Sequence, residues 1–395
     1  MELEANCGND RHDVNTCFAR RFPISYSNAG KMHPIYRRLA MVALIAHHVA
    51  ACSRPYSAWM ADSVIARGQG LVQGSPSPST YLQVGFFQSA ILRLIDHYRT
   101  PKAACAESDW EEYLQTSTNS IILYLLNASQ DTSYPLDRLS TGPGFLHQYE
   151  QLHMDASSKC LHSLRESINL QPRNMLGGIV LDDIILQLDL LWTHCRQNDT
   201  GLLVHGYDES KNASWANPIT GASPIVWDRS LGWYLMALVD SLELSLSFPP
   251  HLAHYLRQRL VQLADSVITA ADLTTGCWWQ VMNHPGQVGN YIESSGSAMF
   301  TSALYKAARL GYLPAKLARK ARHTAGRCYS NLVDSFLVRN QNGTLEYNGT
   351  VSVCSLSSSA SYEYYVSQPL LYNSVHGTAA FVLASLEQEM LDQSS

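Results

Sequence analysis

The chain has 395 residues, with 28 Lys and Arg against 33 Asp and Glu and a formal net charge of −5. A hydrophobic content of 46% is enough for a large buried core and excludes wholesale disorder. The mild negative charge, with no Lys- or Arg-rich run, argues against a nucleic-acid or polybasic membrane surface. Charged residues make up 15% of the chain, against about a quarter in an average protein. Uncharged polar residues and aromatics fill the difference, a balance typical of proteins that stack sugars on aromatic rings.

The N-terminal region predicts export. Residues 32–52 contain a basic pair, a short apolar run and a small-residue end, as in a secretory signal peptide. Residues 1–31 then form an unstructured extension, and residues 53–395 form a single secreted domain. An amphipathic N-terminal helix is the alternative interpretation. No stretch approaches the about 18–20 apolar residues of a membrane span, so no membrane contact is expected after signal cleavage.

Glycosylation and cysteine patterns are consistent with export. Five Asn-X-Ser/Thr triplets predict a glycoprotein. They begin at Asn127, Asn198, Asn212, Asn342 and Asn348. Six cysteines follow the signal segment and allow up to three disulfides, whose pairing the sequence does not choose. They are Cys105, Cys160, Cys195, Cys277, Cys328 and Cys354. The chain contains no motif for a metal or a nucleotide cofactor.

Apolar spacings of three and four residues predict eleven helices. They cover residues 56–69, 83–98, 108–126, 141–152, 156–168, 181–196, 227–246, 250–270, 295–310, 314–334 and 375–390. Two short strand-like pieces, 201–204 and 277–281, each follow a Thr-Gly turn that closes a helix. This recurring unit predicts an all-α domain in which helix pairs form a ring, with the site on its loop face.

Residues 200–233 hold the densest group of candidate functional side chains. Ser223 and Pro224 predict an N-cap and a first-turn proline for the following helix, which places Arg229 near its start. A guanidinium at a helix N-terminus favours a bound carboxylate, and Trp227 and Trp233 supply flat faces for a sugar ring. The alternative is that both tryptophans belong to the core and that Arg229 pairs with a nearby Asp.

Two further acids accompany this group. Asp137 precedes a helix predicted to start near Thr141, where it serves either as a functional carboxylate or as a capping residue. Glu293 precedes the 295–310 helix, where an acid complements the helix dipole.

These motifs resemble family 105 of the glycoside hydrolases, the unsaturated rhamnogalacturonyl hydrolases, in their fungal secreted form. The resemblance runs from about residue 55 to the C-terminus. Its matching segments are 56–67, 140–143, 200–208, 223–234, 289–300 and 309–312.

The resemblance implies a barrel of six α/α helix pairs and a substrate that ends in a 4,5-unsaturated uronic acid, released from pectin by lyases. It implies substrate-binding roles for His205, Trp227, Arg229 and Trp233, and an accessory acid role for Asp137. The implied reaction hydrates a vinyl ether and requires neither a metal nor an organic cofactor.

The sequence departs from the family where the catalytic proton donor is expected. The pair Gly177-Gly178, which resembles the segment before the catalytic helix of the family, is present. The predicted helix 181–196, which contains Asp182, then runs directly into the Thr200 turn. Eleven predicted helices, where six pairs require twelve, indicate a missing segment that carries one helix and the acid. The rival alignment makes Asp182 the remaining catalytic acid. A mis-spliced gene prediction and a true pseudoenzyme both account for the gap.

Three functions therefore compete. The first is a hydrolase of unsaturated uronyl-rhamnose oligosaccharides with impaired activity. The second is an inactive carbohydrate-binding or truncated product of the same fold. The third is an unrelated α/α-barrel protein, such as a helical lyase or cyclase.

Overall fold

The computed structural model describes residues 54–99, 109–129, 135–152, 155–169, 181–244 and 249–393. These residues form thirteen helices and four short strands. The helices are α1 Tyr56–Ala66, α2 Pro78–Tyr98, α3 Trp110–Leu125, α4 Pro135–Leu139, α5 Gly142–Leu152, α6 Asp155–Asn169, α7 Leu181–Cys195, α8 Asp228–Glu243, α9 Pro250–Thr269, α10 Ser294–Arg309, α11 Ala315–Ser335, α12 Tyr362–Ser367 and α13 Val375–Gln393. The strands are β1 Leu337–Arg339, β2 Leu345–Tyr347, β3 Thr350–Val351 and β4 Leu370–Leu371.

All eleven predicted helices are present, each shifted by a few residues at its ends. The sequence analysis missed α4 and α12, which are too short to show a helical period. It also missed the strands, which form two antiparallel pairs of two strands each. Leu337 of β1 lies opposite Tyr347 of β2, and Thr350 of β3 lies opposite Leu371 of β4.

The long helices form an inner and an outer layer. Within the described residues, α5, α2, α13, α10 and α8 are neighbours in that order and make the inner wall. Each contacts an outer helix: α6, α3, α1, α11 and α9 respectively. The inner helix α10 is buried along almost its whole length, as expected for a helix enclosed on all sides. Five inner–outer pairs are therefore in place, and α7 contacts the outer helix α9.

The two predicted Thr-Gly turns are copies of one local structure. Gly201 and Gly276 both have positive φ, 72° and 75°, a conformation that glycine adopts without strain. In each copy the threonine hydroxyl before the glycine accepts the N–H of the residue after it, at 3.2 Å from Leu202 and 3.1 Å from Cys277. The segments that follow are extended, but they are joined by single β-bridges.

One disulfide is present among the described cysteines. It joins Cys277, just after the second Thr-Gly turn, to Cys328 on α11. Cys160, Cys195 and Cys354 are free and buried. Cys105, the extension 1–31 and the signal segment 32–52 lie outside the described residues. No helix within the described part of the chain is long and apolar enough to cross a membrane.

Candidate functional site

Extended segments lead into the start of α8. The Ser223 N–H donates to the Gly206 carbonyl at 2.9 Å, and the Asp228 N–H donates to the Gln280 carbonyl at 3.2 Å. This pairing holds the chain extended as far as Trp227, which is the N-cap residue of α8. The bridges that hold the segments are Arg196–Leu203, Tyr207–Ala222, Trp227–Val281 and Trp279–Ile292.

The predicted N-cap of this helix is therefore wrong, although its predicted first residue, 227, is only one residue from the observed start. Ser223 and Pro224 lie in the extended segment and do not cap α8, because the backbone around them is paired with a neighbouring segment. Arg229 is nevertheless close to the helix N-terminus, as predicted, since α8 begins at Asp228.

The Arg229 side chain points into the protein and is 2% exposed. Its Nε donates to the Ser295 hydroxyl at 2.8 Å, and its Nη2 donates to the Val351 carbonyl. Nη2 also lies 3.5 Å from Oε1 of Glu293. The guanidinium carbon is 5.1 Å from the centroid of the Trp227 ring, which places the cation over the indole.

Glu293 is the buried acid that pairs with this cation. It is the N-cap residue of α10, and its carboxylate accepts the Gly296 N–H at 2.6 Å. It also accepts the Ser295 hydroxyl at 2.8 Å and the Val351 N–H at 2.9 Å. Glu293 thus does more than complement the helix dipole, and the acid that pairs with Arg229 is this Glu rather than an Asp.

A second buried carboxyl, Asp228, adjoins the pair. Its Oδ1 accepts the Arg229 N–H at 2.7 Å, while Oδ2 has no hydrogen-bond partner among the described residues. A Cβ atom on Gly296 would lie 2.3 Å from Oδ2, so glycine is needed for this close approach to α10. Burial, and then the negative charge of Glu293, raise the pKa of Asp228 well above its usual range. The sequence analysis gave Asp228 no role, although it stands beside Arg229.

His205 also contacts Trp227, with the two ring centroids 4.9 Å apart. The Trp227 ring is therefore shared, and the Arg229 guanidinium carbon lies within about 10 Å of the His205 ring, roughly one helix diameter. Nδ1 of His205 and the Tyr365 hydroxyl are 2.5 Å apart. Burial lowers the pKa of His205 to about 4, so its imidazole is neutral at neutral pH.

Trp233 lies one helical turn after Arg229. Its ring contacts Phe86 of α2, at 4.6 Å between centroids, and His376 of α13, at 6.2 Å. His376 is buried, and its Nε2 atom has no hydrogen-bond partner in the described part of the chain. The sequence analysis missed both His376 and Tyr365, since each follows its partner by more than a hundred residues and no local pattern joins them.

Comparison with known families identifies this arrangement. The profile described as Glycosyl Hydrolase Family 88 matches residues 178–392, more than half of the chain. The chain belongs to this family. The match includes every residue of the Arg229 cluster and excludes the third interpretation, an unrelated helical lyase or cyclase.

Two bacterial relatives have similar sequences. Protein Atu3128 of Agrobacterium fabrum and a 24.9 kDa protein in the picA locus of Rhizobium radiobacter are each 37% identical to the chain over 198 residues. The aligned part covers 48% of this chain and 83% of each relative.

Solved structures confirm the predicted barrel. A family 105 glycoside hydrolase of C. acetobutylicum is 27% identical, with a TM-score of 0.72, covering 85% of this chain and 100% of that one. An unsaturated glucuronyl hydrolase from Bacillus sp. GL1 is 11% identical, with a TM-score of 0.54. That alignment covers 84% of this chain and 95% of the other, and it shows a common fold.

Asp137 and Asp182, the two acids predicted to be catalytic, lie on different helices from Arg229 and Glu293. Asp137 is in α4, where burial raises the pKa of its carboxyl. Ser140, just after α4, packs against Gly85 of α2, next to the Phe86 that contacts Trp233. Asp182 is in the first turn of α7, and its side chain lies outside the described residues. The catalytic roles of Asp137 and Asp182 stay predictions.

No group of three or more His, Cys, Asp or Glu side chains in the described ranges could hold a metal ion.

The buried ion pair yields a stability prediction. Glu293→Ala should lower the free energy of unfolding by about 3–5 kcal/mol, because it leaves the Arg229 charge buried without a partner. The double variant Glu293→Ala/Arg229→Met should recover part of this loss, since both charges are gone. Urea unfolding of the two single variants and the double variant measures the coupling, and strictly additive losses would contradict the pairing.

The neutral state of His205 yields a pH prediction. The unfolded chain binds a proton at His205 near pH 6.5, whereas the folded chain binds it near pH 4. The stability contributed by neutral His205 is therefore complete above pH 6.5 and is lost as the pH falls to about 4. Between these pH values, the free energy of unfolding measured with denaturant should depend less steeply on pH for His205→Gln than for the wild type. His162→Gln, at an exposed position on α6, is the matched control, and equal slopes for the two variants would refute the assignment.

Proposed function

We propose that this chain has the fold and the substrate-binding residues of a secreted hydrolase of pectin-derived oligosaccharides that end in a 4,5-unsaturated uronic acid, of the unsaturated rhamnogalacturonyl hydrolase type. The observation that carries the proposal is the buried Arg229 guanidinium beside Trp227 and within about 10 Å of His205. A cation suits the uronate carboxylate, an indole suits the sugar ring, and a neutral imidazole exchanges hydrogen bonds with hydroxyl groups.

Arg229 binds the carboxylate through one end of its guanidinium. Nε and Nη2 are held by Ser295, Val351 and Glu293, whereas Nη1 donates to no described residue. The internal contacts therefore fix the orientation of the planar group and leave one amine for substrate.

The proposed reaction is the hydration of a vinyl ether. A carboxylic acid protonates C4 of the unsaturated sugar, and the resulting carboxylate takes a proton from the water that adds at C5. The hemiketal then opens and releases the neighbouring sugar as an alcohol, so each bond cleaved consumes one water molecule. A proton donor needs a raised pKa, and burial supplies this to Asp137, which supports its accessory role.

The inner wall supports the proposal that a segment with the main proton donor is missing. The neighbouring inner helices α10 and α13 are buried almost throughout. At the end of the inner run, Leu146 and Tyr149 of α5 are 47% and 44% exposed. On α7, Leu186 and Leu191 are 51% and 37% exposed. Apolar faces of this kind are what the loss of one inner helix between α5 and α8 would leave uncovered.

The second candidate function is a non-catalytic sugar-binding protein. The same exposed faces favour it, because they suggest that the helix with the proton donor is missing. The proposed binding residues lie on α8, α10 and α13, whose packing does not depend on the wall between α5 and α8. A functional acid that faces Arg229, Trp227 and His205 would indicate the hydrolase, and its absence would indicate the sugar-binding protein.

Activity on a lyase-generated rhamnogalacturonan disaccharide tests the proposal. The chain should show weak or no turnover, since the loss of a general acid lowers rates by about 10²–10⁴-fold. Loss of ultraviolet absorbance from the unsaturated uronyl group measures the reaction. Insertion of the helical segment of an active family member between Gly178 and Leu181 should restore turnover.

Two matched variants decide between the alternatives for the acid. Normal turnover by the unaltered chain would show that no donor is missing. If Asp182→Asn then abolishes this turnover and Asp183→Asn does not, Asp182 is the acid. Calorimetric binding of the disaccharide, lost in Arg229→Met, would support the binding role even without turnover. Retained binding in that variant would overturn the role of Arg229.

Surface chemistry supports the proposal of export. All five predicted glycosylation asparagines are exposed. The Cys277–Cys328 disulfide is typical of an oxidising compartment.

Expression in a secreting eukaryotic host should give a mature chain that begins near residues 52–54 and carries N-glycans. N-terminal sequencing and mass spectrometry before and after glycan removal measure both features. Retention of the whole, unglycosylated chain in the cytosol would contradict this proposal.

A further inference from the structure

An open cleft with a volume of about 550 Å³ lies between the two Thr-Gly turns. Thr200 comes from the first turn, and Asp272 and Leu273 come from the second. Trp279 and Met282 come from the extended segment that is bridged to Trp227 through Val281. The volume falls within the range of about 300–1,000 Å³ seen for small-molecule sites. It is enough for a short oligosaccharide.

Trp279 is the residue that gives this cleft its chemistry. Of the eight tryptophans, seven have a ring contact, a cation–π contact or an indole hydrogen bond to another described residue. Trp279 has none within the described part of the chain, and its side chain is half-buried in the lining of the cleft. The neighbouring Trp278 points the other way, is fully buried and donates to the Val267 carbonyl. An unengaged indole on a cleft wall offers a flat face for a sugar ring.

The charges of the cleft select the kind of sugar. Asp199 and Asp272 both line it, and the lining formed by the described residues contains no Lys or Arg. Two carboxylates disfavour a uronate by like-charge repulsion. The cleft therefore fits a neutral sugar, in contrast to the uronate proposed for Arg229.

We propose that this cleft binds the inner sugars of an N-glycan attached to Asn198 of the same chain. This inference rests on the proposal that the chain is exported. Asn198 is exposed and begins the triplet Asn198-Asp199-Thr200, whose second and third residues line the cleft. Two residues of chain span at most about 7 Å, so the first sugar on Asn198 starts within reach of the cleft wall. The inner sugars of such a glycan are neutral and carry N-acetyl methyl groups that pack on Trp279 and Leu273.

Protection of the glycan from enzymatic removal tests the inference. The full chain, secreted by a eukaryotic host, is treated under native conditions with a peptide N-glycosidase, and release is followed site by site by mass spectrometry. The Asn198 glycan should be removed about threefold to tenfold more slowly than the Asn212 glycan, a difference of about 0.7–1.4 kcal/mol in protection. Asn212 is the control because it is also exposed and neither it nor its triplet neighbours Ala213 and Ser214 line the cleft.

Two variants separate the cleft from general effects on folding. Trp279→Ala should abolish the slow release at Asn198 and leave Asn212 unchanged, whereas Trp279→Phe, which keeps an aromatic face, should retain most of it. Unchanged protection in Trp279→Ala would overturn the inference. A chain that is glycosylated elsewhere but unmodified at Asn198 would also overturn it. The inference would likewise fail if the Asn198 glycan is unprotected while the Asn198→Gln variant binds added chitobiose. A chain without any glycan would instead overturn the export proposal on which the inference rests.

Discussion

The ion pair between Arg229 and Glu293 is the interaction on which the site depends. Both side chains are almost completely buried, and such a pair costs more in lost hydration than it returns unless its remaining hydrogen bonds are satisfied. Here Ser295 bridges the two groups, and Val351 donates its N–H to the acid and accepts from the arginine through its carbonyl. One network thus ties the start of α8, the start of α10 and β3 together. The orientation of the guanidinium follows from it.

The titratable groups around this ion pair add no further charge near pH 7. Burial lowers the pKa of His205 to about 4, and burial together with the nearby Arg229 lowers that of His376 to about 3. Both imidazoles are therefore neutral near pH 7. The raised pKa of Asp228 favours its neutral acid form, which avoids a second negative charge beside Glu293. Apart from the ion pair itself, the neighbouring groups are therefore neutral hydrogen-bonding groups near pH 7.

The sequence predicted what local patterns encode. Helical periodicity located all eleven long helices, and the Thr-Gly turns were found because glycine at positive φ leaves a visible signature. The N-cap of α8 was misassigned, because the Ser-Pro signal at residue 223 is overridden by backbone pairing with distant segments. The partnerships of Arg229 with Glu293 and of His205 with Tyr365 were missed for the same reason. They depend on how the helices pack, which no spacing within one segment records.

The arrangement of the inner helices bears on how the proposed binding and catalytic roles are divided along the chain. The Arg229 network spans α8, α10 and β3, and Trp233 extends it to α13 and α2. These inner helices are consecutive neighbours with their outer partners in place, so their packing does not require a further helix between α5 and α8. A proton donor on that further helix would face the network from across the barrel and contribute nothing to its internal hydrogen bonds. The loss of such a helix would therefore remove the proposed proton donor while the Arg229 network keeps its geometry, so under the proposed function substrate binding would persist where turnover is lost.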